Sequence, residues 1–129
     1  MNREILIQED YPNDPWKMLV CCILLNQTNN RAVRPILDSV FELIPDYHSA
    51  INCDSDRLAA MIKTTGLYNV KARRIINMSI GYKEGFTRVT ELPGIGTYAN
   101  ESWEIFVNGN LDIKPTDSKL RAYLDAVLF

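Results

Sequence analysis

The stretch Leu92-Pro93-Gly94-Ile95-Gly96-Thr97 is the part of this sequence best suited to holding another molecule. Two glycines one residue apart permit positive φ angles and let a second backbone come close. Set just before a helix start, such a turn leaves main-chain N–H groups free to receive an anion, for example a phosphate. The same pattern also serves as a tight connection between two packed helices, and glycine spacing alone does not decide between the two. Carboxylates follow at Asp112, Asp117 and Asp125. Any of them could serve as an acid or base, and Asp117 also has the position of a helix N-cap, where Asp is a favoured residue.

Metal chemistry finds little support. Cys21, Cys22 and Cys53 are odd in number and lack paired ligand spacing. Adjacent Cys21 and Cys22 fall inside an apolar run, which predicts buried, reduced thiols in a reducing compartment. His48, the sole histidine, follows Pro45-Asp46-Tyr47 in an expected loop without a companion ligand, and reads as structural or solvated.

The elements that must position these residues are helical, and the fold expected is a compact all-α domain. Asp14-Pro15 is a start signal, with Asp as N-cap and Pro at the first helical position. The helix it opens, over residues 16–26, is apolar nearly all round and should run through the middle of the domain. After Asn29 and Asn30, one helix is expected as far as Ile44, with Val33, Ile36, Leu37, Val40 and Phe41 at helical spacing and Pro35 near its first turns. Asp54 or Ser55 caps a short helix through Leu58, Met61 and Ile62, stopped by Gly66. A fourth helix over 70–83 is expected to turn Val70, Ile75, Ile76 and Ile80 inward and Lys71, Arg73 and Arg74 outward. A helical turn over 88–92 leads to the glycine turn, a fifth helix spans 97–107, Asn108-Gly109-Asn110 turns the chain, and a last helix starts between Pro115 and Ser118.

Composition sets the outer bounds. A chain of 129 residues with 47% hydrophobic content can build one core and little more. No apolar run approaches the roughly 20 residues that span a bilayer, and Met1-Asn2-Arg3-Glu4 lacks the start of a secretory signal, so an intracellular protein without membrane contact is expected. The net charge of −2 is not that of a typically basic nucleic-acid binder. Charge is unevenly placed, however: Lys63, Lys71, Arg73, Arg74, Lys83 and Arg88 are opposed in their stretch only by Glu84. A local basic face on an acidic protein is compatible with that pattern, as is a simple solvated helix face.

Leu-Pro-Gly-Ile-Gly followed by Thr97-Tyr98-Ala99 resembles the hairpin of the helix-hairpin-helix DNA glycosylase superfamily, and Asp117, in Lys114-Pro115-Thr116-Asp117-Ser118, occupies the place of that superfamily's Asp. Asp14-Pro15-Trp16-Lys17, Leu25-Asn26-Gln27-Thr28 and Gly66-Leu67-Tyr68-Asn69-Val70-Lys71-Ala72 extend the likeness in order. Together they look most like the catalytic domain of the methyl-CpG-binding thymine glycosylases, with a weaker likeness to endonuclease III-like enzymes. The resemblance implies one glycosylase domain over 1–129, with the hairpin near 88–107, acting as a monomer on double-stranded DNA.

It implies Asp117 as the catalytic carboxylate, with Thr116 or Ser118 left to cap the last helix. Leu92, Pro93, Gly94, Ile95, Gly96 and Thr97 become the DNA-binding hairpin. Gln27 and Leu67 become the wedge that fills the space left by an everted base, and Tyr98 lines the base pocket. Bifunctional members place a lysine where this chain has Tyr98, and a phenol cannot form their Schiff base, so hydrolysis without strand nicking is implied. Gln27 departs from the arginine of the thymine glycosylases and matches endonuclease III-like enzymes at the position that meets the opposite base. Cys22 departs from the acidic residue of the adenine glycosylases, which speaks against adenine removal, and the resemblance implies a mismatched or modified pyrimidine (uracil, thymine or a derivative, opposite guanine) as the target. No cysteine follows Cys53, so no iron–sulfur cluster is expected; a monovalent cation at the hairpin is. Against this stand a noncatalytic helix-hairpin-helix binding module and a helical protein-interaction domain, neither of which has a use for Asp117.

Overall fold

The computed structural model describes residues 4–129, so the amino-terminal reading that rests on Met1, Asn2 and Arg3 lies outside them. The described residues form helices and turns with no strand, as the all-α expectation requires. None of these helices is long and apolar enough to cross a membrane.

Helix α1, Pro15–Leu25, is the central rod. Asp14 caps it through Oδ1, which accepts from the Lys17 N–H at 3.1 Å. Trp16 and every residue from Met18 to Leu24 are buried, which is why its sequence shows no polar face. The single helix expected up to Ile44 is broken into α2, Asn30–Val33, a 3-10 turn at Arg34–Ile36, and α3, Leu37–Leu43. Pro35 lacks the N–H that an unbroken helix needs, and the tighter turn absorbs the defect. His48 is not in a loop: Tyr47–Ile51 form the short helix α4, opened by a reciprocal Asp46–Ser49 capping box. Helix α5, Ser55–Met61, takes Asp54 as its cap.

Helix α6, Tyr68–Glu84, packs against α1, α4 and α5. Its buried face differs from the expected one. Ala72, Ile75, Met78 and Ser79 are buried, whereas Val70 and Ile80 are exposed. Lys71, expected on the surface, is fully buried. Charge type misled here: the Lys71 ammonium finds two main-chain carbonyls inside the domain, at Leu24 O (2.8 Å) and Thr65 O (2.7 Å). A 3-10 turn at Val89–Glu91 precedes the hairpin; α7, Thr97–Phe106, and α8, Ser118–Leu128, follow.

Two apolar clusters result. The larger surrounds α1 and takes in residues of α3, α5 and α6, with Cys21 and Cys22 inside it as free, buried thiols; Cys53 is only half-buried. The smaller joins Leu6, Ile105, Leu120 and Leu124, and so ties α7 and α8 to the amino-terminal segment. Tyr98 packs against both.

Candidate functional site

An open cleft of about 810 Å³ lies where the ends of four elements converge. The carboxyl end of α1 contributes Cys22, Ile23 and Gln27, the hairpin gives Gly94 to Thr97, α7 gives Tyr98 and Glu101, and the start of α8 brings Asp117. Arg74 of α6 closes one side. Of the residues singled out in the sequence, Gln27, Gly94, Ile95, Gly96, Thr97, Tyr98 and Asp117 therefore meet in one place. Leu92 and Pro93 stand behind the turn, Leu92 buried in the main core and Pro93 exposed. Leu67 is not part of the cleft wall: it stands exposed at the start of α6, seven residues and so about two helical turns from Arg74.

The two hairpin glycines differ. Gly94 has φ of 79°, and a side chain there would meet Arg74 Cβ at 3.1 Å, so both conformation and close approach require glycine. Gly96 has φ of −100°, which any residue adopts, and added atoms would meet nothing in the chain. Of the two properties that the glycine pair permits, positive φ and close approach, Gly94 uses both and Gly96 does not use the first. Gly96 heads α7 as its N-cap residue, without a side-chain cap, and leaves the helix start open to the cleft. That is the geometry in which exposed N–H groups and the helix dipole favour an anion.

Asp117 also corrects an expectation. It is itself the N-cap of α8: Oδ2 accepts from the Leu120 N–H at 2.9 Å, and neither Thr116 nor Ser118 takes that role. No described residue gives Oδ1 a hydrogen bond. The segment leading to Asp117 is held by Glu101, a buried residue that the sequence did not single out. Its Oε2 accepts from the Thr116 N–H at 2.9 Å, and its Oε1 from the Thr116 hydroxyl at 3.4 Å. One buried carboxylate thus ties the start of α8 to the hairpin's second helix.

Tyr98 is fixed from behind by a second unforeseen residue. Gln8, buried in the amino-terminal 3-10 turn, donates from Nε2 to the Tyr98 hydroxyl at 2.6 Å and to Ser102 Oγ at 3.1 Å. Burial first, then the neighbouring Cys22 and Asp117, push the Tyr98 phenol well above the ordinary tyrosine range, so it remains neutral. Burial likewise pushes the Cys22 thiol up to about 12, which leaves it an inert wall rather than a nucleophile. No three His, Cys, Asp or Glu side chains among the described residues are arranged to hold a metal ion.

Gln27 and Leu67 share a backbone peculiarity. They are the two non-glycine residues with positive φ among the described residues, at 56° and 48°. Gln27 follows the carboxyl end of α1, a position helices usually give to glycine. Leu67, after Gly66, is the N-cap of α6 in the left-handed region. Each such residue costs roughly 1–2 kcal/mol, and strain of this kind gathers at functional sites.

A glycine hairpin opening onto a cleft between helix ends, with a carboxylate at the next helix start, defines a helix-hairpin-helix domain. The chain belongs to the HhH-GPD superfamily of base excision DNA repair proteins, whose family model matches residues 20–124. It is 38% identical over 122 residues to a methyl-CpG-binding domain protein 4-like protein of Arabidopsis thaliana, a match covering 93% of this chain and 27% of that protein. The chain therefore spans about a quarter of the length of this relative. The fold is shared with a thermostable thymine-DNA glycosylase, at a TM-score of 0.68 and 24% identity over 78% of this chain and 51% of that one. It is also shared with endonuclease III in a trapped covalent DNA intermediate, at a TM-score of 0.71 and 20% identity over 88% of this chain and 66% of that one.

Proposed function

We propose that this domain is a DNA glycosylase that everts a mismatched or modified pyrimidine from duplex DNA and hydrolyses its N-glycosidic bond. The observation that carries this reading is the convergence on one cleft of the Gly94–Gly96 turn, Tyr98 and the Asp117 oxygen to which no described residue donates. A DNA phosphate at the open start of α7 would bring the deoxyribose of an adjacent nucleotide toward Asp117. As the bond from C1′ to the base breaks, its electron pair leaves with the base and positive charge builds on the sugar. The Asp117 carboxylate stabilises that charge and orients the water that attacks C1′. The water's proton ends on the departed base, and an abasic sugar remains.

Tyr98 supports hydrolysis without strand nicking. Its neutral phenol offers no amine for a Schiff base. Held by Gln8, it serves as a fixed wall for the everted base. Everting a nucleotide costs a few kcal/mol of stacking and pairing, which Gln27 and Leu67 would offset by filling the vacated space. A monovalent cation at the hairpin would rely on main-chain carbonyls of residues 92–97, of which Leu92 O already accepts from the Ile95 N–H. No step of the reaction is routed through it. The target in this reading is uracil, thymine or a derivative opposite guanine, and the name of the structurally similar thymine-DNA glycosylase supports the thymine part of it.

The test is a panel of duplexes carrying one uracil, thymine or 5-hydroxymethyluracil opposite guanine or adenine, with strand scission scored with and without alkali. Scission only after alkali, for at least one guanine mispair, is the expected result. Scission without alkali would contradict the role of Tyr98. No scission in either condition, with DNA binding retained, would leave a noncatalytic binding module.

A further inference from the structure

Among the described residues Lys71 is the largest fully buried side chain, and the chemistry above gives it no role. Its ammonium donates to Leu24 O at 2.8 Å and to Thr65 O at 2.7 Å, joining segments 47 and 6 residues away. Leu24 lies in the last turn of α1, three residues before Gln27. Thr65 lies two residues before Leu67, and its own hydroxyl donates to Ile62 O at 2.8 Å. The Lys71 main-chain N–H in turn donates to Leu67 O at 2.8 Å. One residue therefore grips both segments that carry the positive-φ side chains.

The physical terms favour a specific tie over generic packing. Carbonyls in the last turn of a helix lack intrahelical partners and carry the negative end of the dipole, so a buried cation suits Leu24 O. Taking an ammonium out of water is nevertheless costly, and an apolar side chain would fill the same space without that penalty. Burial, with Arg74 nearby, holds the Lys71 ammonium below the ordinary lysine range. Strained φ values persist only where surrounding contacts over-determine them. Lys71 supplies such contacts to both strained turns at once.

We propose that Lys71 is a positioning residue for base flipping: its ammonium fixes the Gln27 and Leu67 segments relative to each other, so that both side chains meet the duplex as one wedge. This rests on the flipping roles proposed above. Lys71 itself touches no DNA and takes no part in bond cleavage.

The experiment measures single-turnover base release by the wild type, Lys71→Met, Leu67→Ala and the double variant on two duplexes. One carries uracil opposite guanine; the other carries uracil opposite a tetrahydrofuran abasic analogue, where no pair must be broken. Lys71→Met is expected to slow release from the paired duplex by about 10- to 100-fold, the scale of an ångström-level misplacement, and to slow the unpaired duplex far less. Adding Leu67→Ala to Lys71→Met should cost little more, because coupled residues are not additive. Equal slowing on both duplexes, or additive losses, would overturn the positioning role and leave Lys71 a residue of the fold. If melting shows that methionine unfolds the domain, Lys71→Gln, which keeps one amide donor, is put through the same comparison with the same readings. A wild type that releases none of uracil, thymine and 5-hydroxymethyluracil from either kind of duplex overturns the flipping reading and this role together, whereas the outcomes above, read on the base that is released, overturn this role alone.

Discussion

The starts of α1 and α8 are built alike and sit in different surroundings. Asp14 accepts from the Lys17 N–H at 3.1 Å, and Asp117 accepts from the Leu120 N–H at 2.9 Å. In each case one carboxylate oxygen caps a helix. Beyond that the two diverge. Asp14 faces the Lys17 ammonium at 4.0 Å, outside the cleft. Asp117 stands in the cleft beside Tyr98 and the open start of α7, with the segment before it clamped by Glu101. Capping and chemistry are therefore not competing explanations of an Asp. The cap holds one oxygen still, and the surroundings decide whether the other has a substrate to act on.

That contrast can be broken most sharply by alanine at both caps. Asp14→Ala and Asp117→Ala should each cost about 1 kcal/mol of stability, read by thermal or urea unfolding. Only Asp117→Ala should slow base release, by roughly 10²- to 10³-fold or more, as loss of a group that stabilises transition-state charge does. A comparable slowing by Asp14→Ala would mean that helix stability, not position in the cleft, governs the rate.

A smaller effect separates strain from stability at the rim of the same cleft. Gln27→Gly removes the penalty of the left-handed backbone and should stabilise the domain by about 1 kcal/mol or less. It should also slow release from paired duplexes while sparing a base opposite an abasic analogue. A faster enzyme on paired DNA would remove Gln27 from the wedge.

The mildest effect concerns a third capping Asp, at the start of α4. The Ser49 main-chain N–H, followed by the Ser49 hydroxyl, holds Asp46 below the ordinary carboxylate range. The folded chain thus binds that proton less readily than the unfolded chain. Its contribution is complete above the ordinary Asp value and fades as pH falls through the lowered folded one. Asp46→Asn should flatten this part of the acid limb in a pH series of melting temperatures; an unchanged limb would count against it.

Much of this architecture was legible in the residues. Asp14-Pro15 and the apolar run after it marked α1, and the 97–107 helix differed from the observed α7 by one residue at its end. Gly94 and Asp117 stood out because turn and cap chemistry are local. Short or interrupted helices were not legible: five residues of α4 are too few to show a period, and Pro35 hid two helices within one pattern. Hydrogen bonds across long separations left no trace either. Gln8 meets Tyr98 from 90 residues away, and Glu101 reaches Thr116 across 15. Lys71 was misplaced because a charged side chain reads as a surface residue until its acceptors are known. The cap of α8 was expected from Thr116 or Ser118, because the residue that donates or accepts at a helix start is settled only by backbone geometry, and the structure gives it to Asp117.

Asp117→Asn is the most direct trial, because asparagine caps a helix about as well as aspartate and removes only the negative charge. Melting temperature, affinity for a uracil–guanine duplex and single-turnover base release should be measured on one preparation of each protein. The expected result is an unchanged melting temperature, equal or tighter DNA binding and no detectable base release. Release at the wild-type rate would show that the charge at position 117 does no chemistry.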